Sequence, residues 1–184
     1  WRYQLGDTIK FTSTNPYRFK ITGRTKHFLN SFGEELIIDN TEKALKIACE
    51  KSNSLLKEYT VAPVFMEENK NGAHEWLIEF EKAPDDLNYF IEVLDNALKS
   101  LNSDYEAKRF NNFVLRTPIV HQMKQGTFYN WLKTKNKLGG QNKVPRLSND
   151  RKYLEEILNL NPDPRSSLPT FDFRSVGRGE GNKG

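Results

Sequence analysis

The sequence has a single cysteine among its 184 residues, Cys49, which rules out an internal disulfide and a cysteine-only metal site. Its three histidines, His27, His74 and His121, do not share the spacing of zinc ligands. No apolar run approaches the roughly 20 residues of a membrane span, and no apolar block follows a basic start as in a signal peptide. No Ser-His-Asp or Cys-His arrangement is evident. We therefore predict a cytoplasmic protein without a metal site, a membrane partner or a nucleophilic triad.

The chain also lacks a segment in which charges of one sign are concentrated. Lys and Arg number 28 against 24 Asp and Glu, a net charge of +4, and the two signs are mixed along most of the sequence. This distribution is weak support for nucleic acid and suits an anionic small-molecule ligand equally well. The apolar fraction of 36% can support the core of one domain, or of one domain with a fragment of another. Because the chain starts at Trp1 in what reads as the middle of a strand, we expect a piece of a longer polypeptide.

Periodicity predicts an α+β fold. Two alternating runs, "WRYQLGDTIKFTST" and "YRFKITGR", share a turn cluster at "STNP" and predict an antiparallel hairpin. From residue 40 to 131 the predicted order is helix, strand, strand, helix, strand, helix, which favours a small, mostly antiparallel sheet flanked by helices. The predicted features are a helix capped at Asp39 or Asn40, strands "EYTVAPVFME" and "HEWLIEFE", a helix carrying Leu87 to Leu101, a strand over 111–123, a helix capped by Thr127 and a last helix capped by Ser148.

Three short stretches contain side chains suited to binding a nucleotide. Asp7 follows a glycine inside the first strand and could accept hydrogen bonds from two neighbouring hydroxyls, as on a ribose. Arg24 stands where the second strand leaves the hairpin, and Lys143 lies in a loop freed by Gly139-Gly140 and stiffened by Pro145. A solvated surface charge is the alternative at each position. The acid pairs Glu34-Glu35 and Asp85-Asp86 read as helix-start or surface charges.

Taken together, "YQLGD", "GRTKHFLNSFGEEL" and "GGQNKVPRLSNDR" resemble the C-terminal part of the acyl-acid amido synthetases of the Gretchen Hagen three, or auxin-responsive promoter, family. That family is in turn similar to the adenylate-forming superfamily of acyl-CoA synthetases. The resemblance covers Trp1 to about Leu158. It implies a hairpin (1–25) ending a larger N-terminal domain, a hinge (26–39), a C-terminal lid domain (40–160) and a tail (161–184), which the Pro- and Gly-rich composition predicts to be disordered.

The resemblance also implies a two-step reaction and roles for particular residues. A carboxylic acid would attack the α-phosphate of ATP, with Mg²⁺ present, and an amino acid would then take the acyl group. Asp7 matches the position that holds the ribose hydroxyls, Arg24 the arginine on the nucleotide, and Lys143 the lysine that the lid brings into the site. Lys26, with Gly33, matches the hinge. The superfamily tends to place a glycine directly before the lysine that Lys143 matches, whereas this chain has Asn142 at that position.

Two other functions fit the sequence. An acyl-CoA ligase of the same superfamily would differ only in its acceptor. A small α+β module could instead bind RNA through its sheet, using the aromatic residues of "HEWLIEFE", although no aromatic-rich RNA-binding strand signature is present. On the first interpretation, the acyl pocket and phosphate-binding loop lie upstream, so we expect this fragment alone not to adenylate a substrate.

Overall fold

The computed structural model describes residues 7–24, 28–67, 70–137, 139 and 143–160. The predicted tail and Lys26 lie outside these residues. In chain order the elements are β1 (Asp7–Thr14), β2 (Tyr17–Arg24), β3 (Phe28–Leu29), β4 (Leu36–Ile37), α1 (Ile38–Lys51), β5 (Leu55–Val64), β6 (Ala73–Lys82), α2 (Leu87–Leu101), α3 (Ser103–Arg109), a 3-10 turn (Phe110–Asn112), β7 (Ile119–Met123), α4 (Thr127–Thr134) and α5 (Lys152–Leu160).

The predicted hairpin is present. Strands β1 and β2 pair antiparallel, with Ile9 opposite Ile21 and Phe11 opposite Phe19. The large apolar residues of the two strands are mostly exposed to solvent. Their exposed fraction ranges from 49% at Ile9 to 76% at Tyr17. The hairpin is therefore formed by backbone pairing and by contacts between its own aromatic rings, such as Phe11 with Phe19.

A three-stranded sheet in the order β5-β6-β7 organises the rest of the described chain. Strand β6 pairs antiparallel with β5 and parallel with β7. The connection from β6 to β7 passes through α2 and α3, as a parallel pairing requires. The predicted α+β class is confirmed, with small antiparallel sheets and one mixed sheet flanked by helices.

Helices cover both faces of the central strand β6. On one face Trp76 stacks on Tyr59 and Phe80 meets Phe90 of α2 edge to face. On the other face Leu77 packs in a second cluster with residues of α4 and α5, including Trp131 and Ile157. A strand buried on both sides reads as a nearly continuous apolar run, which explains "WLIEF".

The strand predicted over 111–123 is only partly correct, since β7 begins at Ile119. The preceding residues form α3 and the 3-10 turn, where Asn111 and Asn112 have φ of 50° and 57°. Asparagine tolerates this left-handed conformation better than other non-glycine residues. Two successive left-handed residues are incompatible with a strand, so the strand starts later.

The predicted helix caps also shift. Helix α1 starts after Ile37, whose N–H donates to the Asn40 side chain at 3.2 Å. The N-cap of α4 is Gly126, not Thr127. At α5 the Asp150 carboxylate, not Ser148, accepts from the Lys152 N–H at 3.0 Å. Each true cap lies within a few residues of the predicted one, where several capping residue types stand side by side.

Within the described part of the chain, no helix is both long enough and apolar enough to span a bilayer.

Candidate functional site

The open end of the hairpin brings together two of the predicted nucleotide-binding positions. Asp7 is the first residue of β1 and Arg24 the last of β2, and they are direct backbone partners in the antiparallel register. Sequence separation alone does not bring them together, because sixteen residues of chain run between them and only the register aligns them. Their roles toward a nucleotide stay predictions.

The chain enters the larger part of the fold through residues 28–37, here called the entry segment. It forms the two-residue strands β3 and β4, in which Leu29 pairs with Leu36. Both leucines have no exposed surface and belong to the main core cluster. The entry segment is thus packed into the domain that follows it, and the hinge over residues 26–39 stays a prediction.

Glu34 is buried in the entry segment. Its carboxylate accepts from the Phe32 N–H at 2.7 Å and lies 2.9 Å from His74 Nε2, and both side chains are fully buried. The interpretation of Glu34 as a helix-start or surface charge is wrong, while its neighbour Glu35 is exposed. This polar pair ties the entry segment to β6 inside the core.

Gly33, the second predicted hinge residue, lies in the bend between β3 and β4. Its φ of +81° is in the left-handed region that favours glycine. A Cβ at this position would lie 3.4 Å from the side chain of Lys108. The conformation explains why glycine stands here, and the hinge role stays a prediction.

Lys143 begins the loop that leads into α5; residues 143–151 are here called the lysine loop. The Lys143 side chain is exposed, and no hydrogen bond or ion pair to it is found among the described residues. The next residue, Val144, is buried in the second core cluster. An ammonium group free to reach outward is therefore carried by a backbone fixed one residue later.

Strand β5 fixes the lysine loop by three hydrogen bonds. Thr60 Oγ1 donates to the Pro145 carbonyl at 2.6 Å. The Val61 N–H donates to the Arg146 carbonyl at 2.9 Å, and its carbonyl accepts from the Ser148 N–H at 3.1 Å. The loop thereby acts as a short parallel extension of the sheet beside β5.

Arg146 links the lysine loop to a pocket of about 550 Å³ between α1 and β5. Its guanidinium lies 4.8 Å from the centre of the Tyr59 ring and 3.2 Å from the Glu42 carboxylate. The pocket floor is mostly apolar and includes Leu45 and Cys49. Burial raises the pKa of the Cys49 thiol, which agrees with its interpretation as a residue packed against the core rather than a reactive group.

Further buried charged groups link β6 to β7 and to the residue before α5. Glu75 lies 2.7 Å from His121 Nε2 and 2.6 Å from Arg151. Burial raises the pKa of Glu75, but the hydrogen bonds from His121 and Arg151 outweigh it and leave the pKa below its usual range. Within the described residues, no three His, Cys, Asp or Glu side chains are grouped so that they could hold a metal ion.

The sheet aromatics that would serve an RNA-binding module are not accessible. Trp76 has no exposed surface and Phe80 is also buried, each against another aromatic ring of the core. Stacking on bases requires an open aromatic face, so the geometry does not favour that alternative.

Sequence reasoning missed Arg146, His74 and Asn149, whose contacts are made across long sequence separations. His74 faces Glu34 from 40 residues away, and Asn149 bonds to the entry segment from about 120 residues away. The only sequence signal was their position, in "AHEW" after a turn and in "PRLSND" before a helix. Such a position does not reveal a partner.

A scan against protein families matches residues 39–152, well over half of the chain, to the GH3 family C-terminal domain. No curated protein matches the chain.

Solved structures give the same fold. A structure described as "GH3.15 acyl acid amido synthetase" matches with a TM-score of 0.69 and 22% identity, covering 87% of this chain and 31% of that one. A second, "AtGH3.15 acyl acid amido synthetase in complex with 2,4-DB", matches with a TM-score of 0.65 and 20% identity, covering 86% and 30%. The chain spans about a third of the length of these structures.

Proposed function

The chain belongs to the GH3 family, whose C-terminal domain it carries, and on this premise we propose that it is the C-terminal part of an ATP-dependent acyl-acid amido synthetase. The observation that carries the proposal is Lys143, an exposed cation on an anchored loop of that domain. The two similar structures are both described as acyl acid amido synthetases. A cytoplasmic location belongs to the same proposal.

The reaction brings two anions together. A substrate carboxylate oxygen attacks the α-phosphorus of ATP, the bond to the β,γ-pyrophosphate breaks, and an acyl-adenylate and pyrophosphate result. The amine of an amino acid then attacks the acyl carbon, AMP leaves, and the amine loses a proton as the amide forms. The first step is opposed by repulsion between carboxylate and phosphate, so a fixed cation between them lowers its barrier.

Three side-chain types in this chain fit a nucleotide. A carboxylate at position 7 can accept from both ribose hydroxyls, and a guanidinium at position 24 can donate to ribose or phosphate oxygens. Their backbone pairing in the hairpin supports a shared ligand. Lys143 would supply the charge at the α-phosphate, with its loop fixed by β5, so that little freedom is lost when it engages.

Mg²⁺ would neutralise phosphate charge when bound. Among the described residues no three ligating side chains are grouped to hold a metal, and Mg²⁺ at a nucleotide is usually held by one or two carboxylates together with the phosphates.

The exposed face of the hairpin supports an upstream partner domain of the same polypeptide. Phe11, Tyr17 and Phe19 are more than half exposed although they are large and apolar. Contiguous exposed apolar surface of this kind usually marks an interface. We propose that the N-terminal domain covers it, holds the acid and supplies the acyl pocket.

The test is Lys143→Ala in the full-length enzyme. ATP–pyrophosphate exchange in the presence of the acid should fall by about 10²–10³-fold, the loss typical of removing one preorganised charge-stabilising donor. Lys137→Ala, an exposed lysine close by in sequence, is the matched control and should keep its rate. Exchange unchanged in Lys143→Ala would overturn the role of Lys143. Product formation with coenzyme A in place of amino acids would identify the ligase alternative.

A further inference from the structure

Asn149 bridges the lysine loop and the entry segment through three hydrogen bonds. Its Oδ1 accepts from the Asn30 N–H at 2.8 Å and from Ser31 Oγ at 3.3 Å. Its Nδ2 donates to the Phe28 carbonyl at 2.9 Å. One exposed amide thus bonds two backbone groups and one hydroxyl of the entry segment.

These contacts connect two parts of the chain that matter for the proposed function. Phe28 is the first residue of β3 and of the entry segment, and the lysine loop begins with Lys143. Between Asn149 and Lys143 the backbone is fixed to β5 through Thr60 and Val61. A set of hydrogen bonds therefore runs from the entry segment to within two residues of Lys143.

We propose that Asn149 is a positioning residue for Lys143, which fixes the lysine loop to the segment through which the chain enters the domain. The inference rests on the proposed function, since it gives Asn149 its role through Lys143. When the domain changes orientation relative to the upstream part, Asn149 makes the lysine loop follow the entry segment as one body. Without this amide the loop keeps its bonds to β5 and the entry segment keeps its core contacts, but the direct link between the loop and the entry segment is lost.

The placement of the three bonds explains the choice of asparagine. The site needs one acceptor for Asn30 and Ser31 and one donor for Phe28, and a carboxamide supplies both from a single short side chain. Aspartate would set a carboxylate against the Phe28 carbonyl, and alanine would leave all three groups to water. The bridge is exposed, so its loss should change orientation far more than global stability.

The experiment is a double-mutant cycle in the full-length enzyme, with Asn149→Ala, Lys143→Ala and both together. For Asn149→Ala we expect kcat of ATP–pyrophosphate exchange to fall by about 10- to 100-fold, as for a misplaced catalytic group. The KM for ATP should stay the same, because the lost interaction is made only in the transition state. In the Lys143→Ala background, Asn149→Ala should cause no further loss.

Two further variants make the result specific. Ser31→Ala removes one of the three bonds, so it should lower kcat in the same direction by a smaller factor, again only when Lys143 is present. Asn96→Ala, on the exposed side of α2, should change nothing. Amide formation from an acyl-adenylate supplied ready-made should be unaffected by Asn149→Ala, since that step needs no charge at the α-phosphate.

The outcomes separate the inference from its premise. If Lys143→Ala lowers exchange but Asn149→Ala does not, or if Asn149→Ala costs the same factor in the Lys143→Ala background, Asn149 does not act through Lys143. If Lys143→Ala itself leaves exchange intact, the proposed function fails first. Equal loss of both half-reactions in Asn149→Ala would indicate a general structural role and would also overturn the inference.

Discussion

At the scale of single residues, the burial of Glu34 is the feature that most needs explaining. A carboxyl group without exposed surface loses its hydration, and only hydrogen bonds inside the fold can offset that cost. Here the Phe32 N–H and His74 Nε2 supply them, and the backbone carbonyl of Glu34 accepts from Asn102 at 3.0 Å. The residue therefore joins the entry segment to both the sheet and the α2–α3 junction.

Replacing Glu34 with alanine should destabilise the 184-residue chain strongly. The change leaves the Phe32 N–H and a fully buried His74 ring nitrogen unpaired, at about 1–3 kcal/mol for each orphaned group. The free energy of unfolding, measured by urea denaturation, should fall by that order. Glu35→Ala, at the exposed neighbour, is the control and should stay within about 0.5 kcal/mol of the parent. Similar losses in both variants would contradict the assigned role of the buried carboxylate.

Residue types at the candidate site could be predicted from the sequence, but most of their partners could not. Lys143 could be singled out because glycine and proline flank it locally. The partners of Glu34 and Asn149 are set by how segments far apart in the chain pack together, and a single sequence does not show which segments are in contact. An acidic pair such as Glu34-Glu35 is solvated in most proteins, so the buried member could not be recognised in advance.

At the scale of elements, Glu79 shows how the sheet sets the position of a helix. This buried residue of β6 accepts from the Gly126 N–H at 2.8 Å and the Phe128 N–H at 3.3 Å, at the start of α4. Burial raises the pKa of Glu79, but Lys57 and these two backbone N–H groups outweigh it and hold the pKa below its usual range. The ionised carboxylate thus caps α4 from a neighbouring strand.

Glu79→Ala should therefore loosen α4 before it affects the rest of the fold. Two N–H groups at the helix start lose their acceptor, and loss of an N-cap alone costs about 0.5–2 kcal/mol. Hydrogen exchange of the Gly126 and Phe128 amides should accelerate, while that of amides in α2 should not. Glu81→Ala, two residues along the same strand but exposed, is the matched control. Unchanged protection at Gly126 and Phe128 in Glu79→Ala would show that α4 does not depend on this cap.

Elements with strong periodicity could be predicted, and those set by tertiary contacts could not. The apolar spacing along α2 and the alternation in the hairpin are local properties, and both elements formed as expected. The parallel pairing of β7 with β6 follows from the crossover through α2 and α3. The parallel direction of this pairing cannot be predicted from the sequence of β7, whose five residues would fit an antiparallel edge strand equally well.

At the scale of the whole molecule, the hairpin and the remaining fold differ in how they are stabilised. The larger part has two apolar clusters on opposite faces of β6. The hairpin joins neither cluster, and its apolar residues from Ile9 to Ile21 are exposed. Folding of residues 28–160 should consequently be independent of the hairpin, because it contributes little buried apolar area.

The final prediction compares shortened chains by urea denaturation. A chain of residues 28–160 should unfold cooperatively, with a free energy of unfolding within about 1 kcal/mol of the 184-residue chain, since fully burying even one large aliphatic side chain contributes about 1.5–3 kcal/mol. It should also bind less of a dye specific for exposed apolar surface. A chain of residues 28–150 is the contrasting control, because it loses α5 with the buried Leu154, Ile157 and Leu158, and it should be severely destabilised. If removing the hairpin destabilised the fold as much as removing α5, its aromatic face would be part of this core, and the argument that an upstream domain covers that face would fail.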